Sequence, residues 1–210
     1  SDLNELCPTG ALGVYGKEIK LEELISILEK DVPYFKATNG GITFSGGEPL
    51  IQDLYLYLSE LKLLNYHICI ETCLDASLDK IRKLIEFVDL WIIDLKLIYF
   101  RKILGNKFEH FIRNLEFLIE LCSEKILLRY LVIDGYTNTE ENICFLINLI
   151  SKFNIKYLEI LSVHNFGRDK YISLGRKYSN FLEADSKKME IIKKQIEEKT
   201  ICRVKILNII

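Results

Sequence analysis

The sequence lacks the features that mark nucleic-acid-binding and membrane proteins. Its 28 basic and 30 acidic residues give a net charge of −2, so there is no excess of positive charge for nucleic acid or an anionic membrane. Its apolar runs are short of the roughly 20 residues that a membrane span needs. The six cysteines lack the dense spacing of a disulfide-stapled secreted domain. We therefore expect a cytoplasmic protein with reduced thiols and no nucleic-acid or membrane partner, whose function depends on a site.

The apolar residues predict alternating helices and strands. Helical periodicity is present over 20–32, 53–65, 78–87, 108–122, 138–153 and 186–199, and short apolar segments that predict strands are present at 40–45, 67–72, 90–96, 126–133, 157–163 and 202–207. Strict alternation with apolar strands is typical of a parallel sheet covered by helices. The fold class predicted is therefore α/β, and 210 residues suffice for one domain with a full core.

Polar residues gather where the predicted strands end, which favours a whole or partial (β/α) barrel over an open doubly wound sheet. Active sites of such barrels lie at the carboxyl ends of the strands. The residues concerned are Ser45, Glu48, Glu71, Thr72, Asp94, Lys96, Arg129 and His164. The polar segment 164–186 is predicted to be the longest loop, and such loops often carry binding residues.

The segment "NGGITFSGGEPL" places Gly46 and Gly47 directly after a strand and before Glu48. Glycine lets the backbone turn sharply and lets a ligand approach it closely. One interpretation is a tight turn with an exposed Glu48; the other is a ligand site. A third glycine or a Gly-Lys-Ser/Thr ending is absent, which excludes a dinucleotide fingerprint and a Walker loop.

Charged residues at the ends of apolar strands also allow two interpretations, because an uncompensated charge is expensive to bury. Asp94 could pair with Lys96, or Arg129 could pair with Asp94 or Glu71, as structural ion pairs. Alternatively the charged residues and His164 converge on one zwitterionic ligand with an ammonium and a carboxylate. His164 alone is more often a structural histidine, but five charged or titratable residues at successive strand ends favour a site.

Taken together, "GGITFSGGEPLIQ", "CIETC", "WIIDLK", "LLRYLVIDG" and "EILSVHNFGRDKYISLGRKY" resemble the activating enzymes of glycyl radical enzymes, such as pyruvate formate-lyase activase. The resemblance covers nearly the whole chain. It implies an anaerobic radical S-adenosylmethionine oxidoreductase with a partial, TIM-like (β/α) barrel. In that family a 4Fe-4S iron-sulfur cluster reduces S-adenosylmethionine to a deoxyadenosyl radical, which removes hydrogen from a glycine of the partner enzyme. The implied partners are the glycyl loop of that enzyme and an electron donor such as flavodoxin or ferredoxin.

The resemblance also implies roles for individual residues. Gly46, Gly47 and Glu48 match the loop that holds the amino group of the methionine moiety. Glu71, Thr72 and Asp94 match positions that in some members surround a monovalent cation beside the methionine carboxylate. Lys96, Arg129 and His164 match positions that make polar contacts to S-adenosylmethionine. The chain departs from the family's sequence pattern at two places. Leu74 stands where the family often has glycine, and "LSVH" replaces Leu-Pro-Tyr-His.

The CxxxCxxC motif that binds the radical cluster does not occur in these 210 residues. "CPTGAL" resembles the end of a ferredoxin-like cluster motif, so Cys7 is interpreted as an orphan ligand of an accessory cluster. We therefore expect residues 1–15 to be the tail of a ferredoxin-like insertion and 16–210 a barrel without its first strand, as an inactive fragment. Two alternatives remain: a radical S-adenosylmethionine enzyme with another substrate, and a degenerate cluster-free barrel serving as a binding or scaffold protein.

Overall fold

A computed structural model of the chain describes residues 16–95, 106–165, 167–178 and 180–207. The chain divides into two compact units, residues 1–41 and 42–210. In the first unit the structure places helix α1 (Leu21–Leu28), a 3-10 turn (Glu29–Asp31) and helix α2 (Val32–Thr38). The single helix predicted over 20–32 is thus broken by the 3-10 turn, and α2 was not predicted. Helix α2 ends at Asn39, which adopts the left-handed conformation with φ 52°, a common helix C-terminus.

The second unit is built on one six-stranded parallel sheet. Its strands are β1 (Ile42–Phe44), β2 (Ile68–Thr72), β3 (Leu90–Leu95), β4 (Ile126–Val132), β5 (Tyr157–Ser162) and β6 (Arg203–Leu207). Each strand pairs with the next in chain order. A doubly wound sheet reverses its strand order, whereas a barrel does not. The sheet therefore confirms the predicted partial barrel.

Helices connect the strands of the second unit. They are α3 (Tyr55–Leu63), α4 (Leu78–Leu84), α5 (Asn106–Cys122), α6 (Glu140–Lys152), α7 (Arg168–Ser173) and α8 (Ser186–Lys199). Side-chain caps fix several starts: Ser77, Thr139 and Asp185 accept hydrogen bonds from backbone N–H groups three residues on. Helix α7 corrects the prediction that 164–186 is only a loop. The part of the chain described contains no helix long and apolar enough to cross a membrane.

The two faces of the sheet differ in burial. In β4, Ile126, Leu128, Tyr130 and Val132 are buried, whereas the alternate residues, including Arg129, are half-buried. Successive side chains of a strand point to opposite faces, and α3, α5 and α8 contact the strands. We infer that the helices cover the buried face and that the half-buried face is the barrel interior. This interior face carries the charged residues.

Asp89 ties α3 to the start of two strands and gives a testable account of stability. Its carboxylate accepts hydrogen bonds from Lys62 Nζ at 2.6 Å and from the Ile68 N–H at 2.9 Å. Burial alone would raise the pKa of Asp89, but these bonds outweigh it and hold the pKa below its usual value. A carboxyl with a depressed folded-state pKa stabilises the fold above its unfolded-state pKa of about 3.9 and loses that contribution as the pH falls through the folded-state value.

Replacement of Asp89 by Asn is expected to lower the free energy of unfolding by about 1–2 kcal/mol at pH 7, since two charge-assisted bonds are lost. Urea unfolding at pH 7 and at pH 3 measures this. The difference between wild type and variant should shrink at pH 3. An equal difference at both pH values would contradict the account.

Candidate functional site

The turn after β1 has free space beside its two glycines, Gly46 and Gly47. Gly46 has φ +122°, a conformation that side chains rarely adopt, so glycine is required there. A Cβ atom added to Gly46 or Gly47 would meet no atom within 4 Å. The backbone of both residues is therefore accessible from solvent, and the ligand site at this turn stays a prediction.

Glu48 is anchored to the end of β2 by hydrogen bonds. It is half-buried, so the interpretation of this segment as a tight turn with an exposed Glu48 is wrong. Its Oε1 accepts from the Leu50 N–H at 3.0 Å and from the Thr72 hydroxyl at 2.6 Å. Its Oε2 accepts from the Cys73 N–H and the Cys73 thiol, both at 2.9 Å. These four donors match the roughly four acceptor sites of a carboxylate. The thiol is the weakest of them, so it is the contact that an ammonium group would most readily replace.

The turn that follows β2 is held firmly. Thr72 is 2% exposed, and its hydroxyl oxygen also accepts from the Leu74 N–H at 2.9 Å. Leu74 is fully buried although its φ is +58°. Asn114 of α5 donates from its side-chain amide to the carbonyls of Leu74 and Ala76, at 3.1 and 2.8 Å. Sequence reasoning identified Thr72 but missed the part played by Asn114.

Arg129 lies at the centre of the interior face, between two carboxylates. Its Nη1 donates to Glu71 Oε1 at 2.8 Å, and its Nη2 donates to Glu159 Oε2 at 2.9 Å. Burial alone would lower the pKa of Arg129, but the bond to Glu159 and the charge of Glu71 raise it. The ion pair between Arg129 and Glu71 is one of the pairings that the structural interpretation of these charges allowed. Glu159 was missed, although a glutamate inside the apolar segment "YLEILSV" was a visible signal.

The remaining predicted residues lie farther along the strand ends. Asp94 stands opposite Arg129 in the register of β3 and β4. His164 follows β5, is exposed and lines a cleft of about 780 Å³ together with Lys193 and Lys205. Cys7 and Lys96 lie outside the described residues. The structure thus brings Gly46, Gly47, Glu48 and Thr72 together and separately joins Glu71 to Arg129.

The donor set at the strand ends fits a zwitterionic ligand better than a metal cluster. Open glycine backbone and carboxylates suit an ammonium, and the Arg129 guanidinium suits a carboxylate. Across the described ranges, His, Cys, Asp and Glu form no group of three or more that could hold a metal ion. A 4Fe-4S cluster needs such thiolates. The described residues therefore suit a ligand that carries an ammonium and a carboxylate, and they offer no set of thiolates for a 4Fe-4S cluster.

Comparison with known proteins finds activating enzymes among the relatives of the chain. No family model matches the chain. The chain is 30% identical over 178 residues to a pyruvate formate-lyase 2-activating enzyme of Escherichia coli, covering 82% of the chain and 61% of that protein. It is 32% identical over 181 residues to a 4-hydroxyphenylacetate decarboxylase activating enzyme of Clostridioides difficile, covering 82% of the chain and 56% of that protein. The chain thus spans less than two thirds of the length of these relatives.

Solved structures share the fold. A domain of pyruvate-formate lyase-activating enzyme from Bacteroides vulgatus matches with a TM-score of 0.62 at 19% identity, over 80% of this chain and 99% of that domain. Streptococcus suis SuiB bound to S-adenosylmethionine matches with a TM-score of 0.63 at 14% identity, over 93% of this chain and 45% of SuiB. The fold is therefore that of the radical S-adenosylmethionine partial barrels. By sequence, the chain is a relative of the activating enzymes of glycyl radical enzymes.

Proposed function

We propose that the chain is the S-adenosylmethionine-binding part of a glycyl radical enzyme activating enzyme, a radical oxidoreductase. Its ligand lies at the carboxyl ends of β1 to β5. The observation that carries the proposal is the open backbone of Gly46 and Gly47 beside the anchored carboxylate of Glu48. The glycine turn meets the methionine ammonium and Arg129 meets its carboxylate. The other proposed contacts to S-adenosylmethionine come from Asp94, Lys96 and His164. The proposal also includes a monovalent cation beside Glu71, Thr72 and Asp94.

We propose for the complete protein the activity of its relatives, the activating enzymes of glycyl radical enzymes. The partner would be a glycyl radical enzyme, from which the complete protein would remove a hydrogen atom, and flavodoxin or ferredoxin would supply the electron. The 4Fe-4S cluster supplies the reduction of S-adenosylmethionine when bound, and its CxxxCxxC motif is absent from these 210 residues. The chain by itself is therefore expected to bind S-adenosylmethionine without cleaving it.

Calorimetric titration of S-adenosylmethionine into wild type and Gly47→Ala tests the proposal. Gly47 lacks a positive φ, and its added Cβ meets no neighbouring atom, so the variant should fold normally. The added methyl group would occupy the space of a ligand that lies against the backbone. We expect affinity to fall at least about tenfold, the effect of losing one close polar contact.

Methylthioadenosine, which lacks the amino acid moiety, is the matched ligand control. It should bind wild type more weakly than S-adenosylmethionine and lose no further affinity in Gly47→Ala. Equal affinity of wild type and variant for S-adenosylmethionine would show that the ligand does not lie at this turn.

A second candidate function is a cluster-free barrel that serves as a binding or scaffold protein. The observation that favours it is the set of four protein donors that Glu48 already accepts. Such a barrel would need no ligand at this turn. Absence of S-adenosylmethionine binding to wild type would favour this candidate over the first.

A further inference from the structure

The turn after β2, residues 73–77, is held by two side chains of helix α5. Asn114 donates from Nδ2 to the carbonyl oxygens of Leu74 at 3.1 Å and Ala76 at 2.8 Å. His110, one helical turn earlier, contacts the same Ala76 oxygen through Nε2 at 2.7 Å. A carbonyl oxygen only accepts, so both side chains donate. Helix α5 therefore fixes two carbonyls of the turn, and the bond to Leu74 comes from Asn114.

The hydrogen bonds of this turn end on the carboxylate of Glu48. The Leu74 N–H donates to the Thr72 hydroxyl oxygen at 2.9 Å, and that hydroxyl donates to Glu48 Oε1 at 2.6 Å. The Cys73 N–H donates to Glu48 Oε2 at 2.9 Å. The conformation of residues 72–74 thus sets where both carboxylate oxygens lie. Leu74 has φ +58°, which is unfavourable for a residue with a Cβ, so this conformation depends on bonds that hold it.

The burial of Asn114 makes its bond to Leu74 hard to replace. Asn114 is 0% exposed, and its Oδ1 has no hydrogen-bond partner among the described residues. A donor lost from such a buried place is not readily replaced by water. Without the Asn114 amide, Ala76 would keep the bond from His110, whereas the Leu74 carbonyl would lose its bond to α5. The effect would fall on the residue next to Cys73, which anchors Glu48.

We propose that Asn114 is a positioning residue of the S-adenosylmethionine site. It acts through the turn after β2 and fixes the Glu48 carboxylate that receives the ligand ammonium. This inference rests on the proposed function, because the ligand and the role of Glu48 are those proposed there. A carboxylate that is already fixed before the ligand arrives loses less freedom on binding, which favours affinity.

Asn142 of α6 provides a matched control. It is 3% exposed, and its Oδ1 likewise has no partner in the part of the chain that the structure describes. Its Nδ2 donates to the Tyr136 carbonyl at 3.0 Å and to the Thr139 hydroxyl at 2.7 Å. Asn142 therefore holds the turn after β4 much as Asn114 holds the turn after β2. Neither Tyr136 nor Thr139 belongs to the proposed site, so Asn142 should matter for stability alone.

Titration calorimetry of the full chain with S-adenosylmethionine tests the difference between the two asparagines. Asn114→Ala is expected to weaken binding about three- to tenfold, the effect of one hydrogen bond. Asn142→Ala should stay within about twofold of wild type. Urea unfolding should show a similar loss of stability in both variants. If Asn114→Ala does not fold, Asn114→Ser replaces it, because one hydroxyl donor serves at most one of the two carbonyls.

The backbone amide of Cys73 provides a second readout that needs no ligand. In the 15N-labelled chain its proton is expected downfield, because the N–H donates to a carboxylate. The signal should move upfield in Asn114→Ala, since the turn no longer holds the N–H against Glu48. It should stay in place in Asn142→Ala. A merely structural role of Asn114 would lower stability without moving this signal.

Unchanged S-adenosylmethionine affinity in a folded Asn114 variant would overturn the positioning role, whatever the Cys73 signal does. Lower affinity with an unmoved Cys73 signal would overturn the route through the turn. An equal loss of affinity in Asn114→Ala and Asn142→Ala would reduce the effect to general stability and would also overturn the inference. Each of these results, with clear binding by wild type, leaves the proposed function standing. Absence of binding by wild type would overturn the proposed function and this inference together.

Discussion

Replacement of Glu48 by Gln is expected to reduce S-adenosylmethionine affinity about 100-fold, which corresponds to about 2.7 kcal/mol. The substitution keeps the size of the side chain but removes the charge that would pair with the ligand ammonium. It also places an amide NH2 where a carboxylate oxygen accepts hydrogen bonds from Thr72 or Cys73. Leaving a buried donor without its acceptor costs about 1–3 kcal/mol, so the unfolding free energy should fall as well.

Glu86→Gln is the matched control for this variant. Glu86 is exposed and precedes the start of β3, away from the carboxyl ends of the strands, so the same loss of charge should leave both affinity and stability unaltered. Calorimetry and urea unfolding of both variants separate the two effects of Glu48. Wild-type affinity in a folded Glu48→Gln protein would remove Glu48 from the binding site.

Replacement of Leu74 is expected to give the largest change in stability, with an unusual order between two variants. Leu74 is fully buried, so Leu74→Ala should lower the unfolding free energy by about 2–5 kcal/mol. Its φ of +58° costs a residue with a Cβ about 1–2 kcal/mol, a cost that glycine does not incur. Leu74→Gly should therefore be at least as stable as Leu74→Ala, although it removes one more methyl group.

Leu84 provides the matched comparison for Leu74. It is buried in α4, where the backbone is helical, so Leu84→Gly should be less stable than Leu84→Ala by about 1 kcal/mol. Urea unfolding of the four variants measures both differences. If glycine is as unfavourable relative to alanine at 74 as at 84, the left-handed turn after β2 is not a source of strain.

Much of the fold could be predicted from the sequence because its periodicity is regular. The strand predicted over 126–133 corresponds to β4, which ends one residue earlier. The helix predicted over 186–199 corresponds to α8, whose bounds are the same. Prediction failed where the pattern is local: Val32–Thr38 and Arg168–Ser173 are short helices whose apolar residues form no long stripe. Short helices depend on neighbouring structure more than on their own sequence.

The gathering of charged residues on one face of the sheet could be predicted from the sequence, but the contacts among these residues could not. Charged residues within or directly after apolar strand segments identified Glu48, Glu71 and Arg129, although Arg129 lies in the middle of β4 and not at its carboxyl end. Glu159 was missed because its role depends on the register between β4 and β5, which places it opposite Arg129. The bond from Thr72 to Glu48 joins residues 24 positions apart, and a single sequence does not specify such a pair.

An NMR titration with S-adenosylmethionine tests the central claim most directly. In a 15N-labelled chain, the amide signals of Gly46 and Gly47 and the Nε–H signal of Arg129 should shift in proportion to ligand bound. Signals from the exposed surface of α8 should stay in place. Shifts confined to the cleft lined by Lys193 and Lys205, with the glycine turn unchanged, would contradict the account.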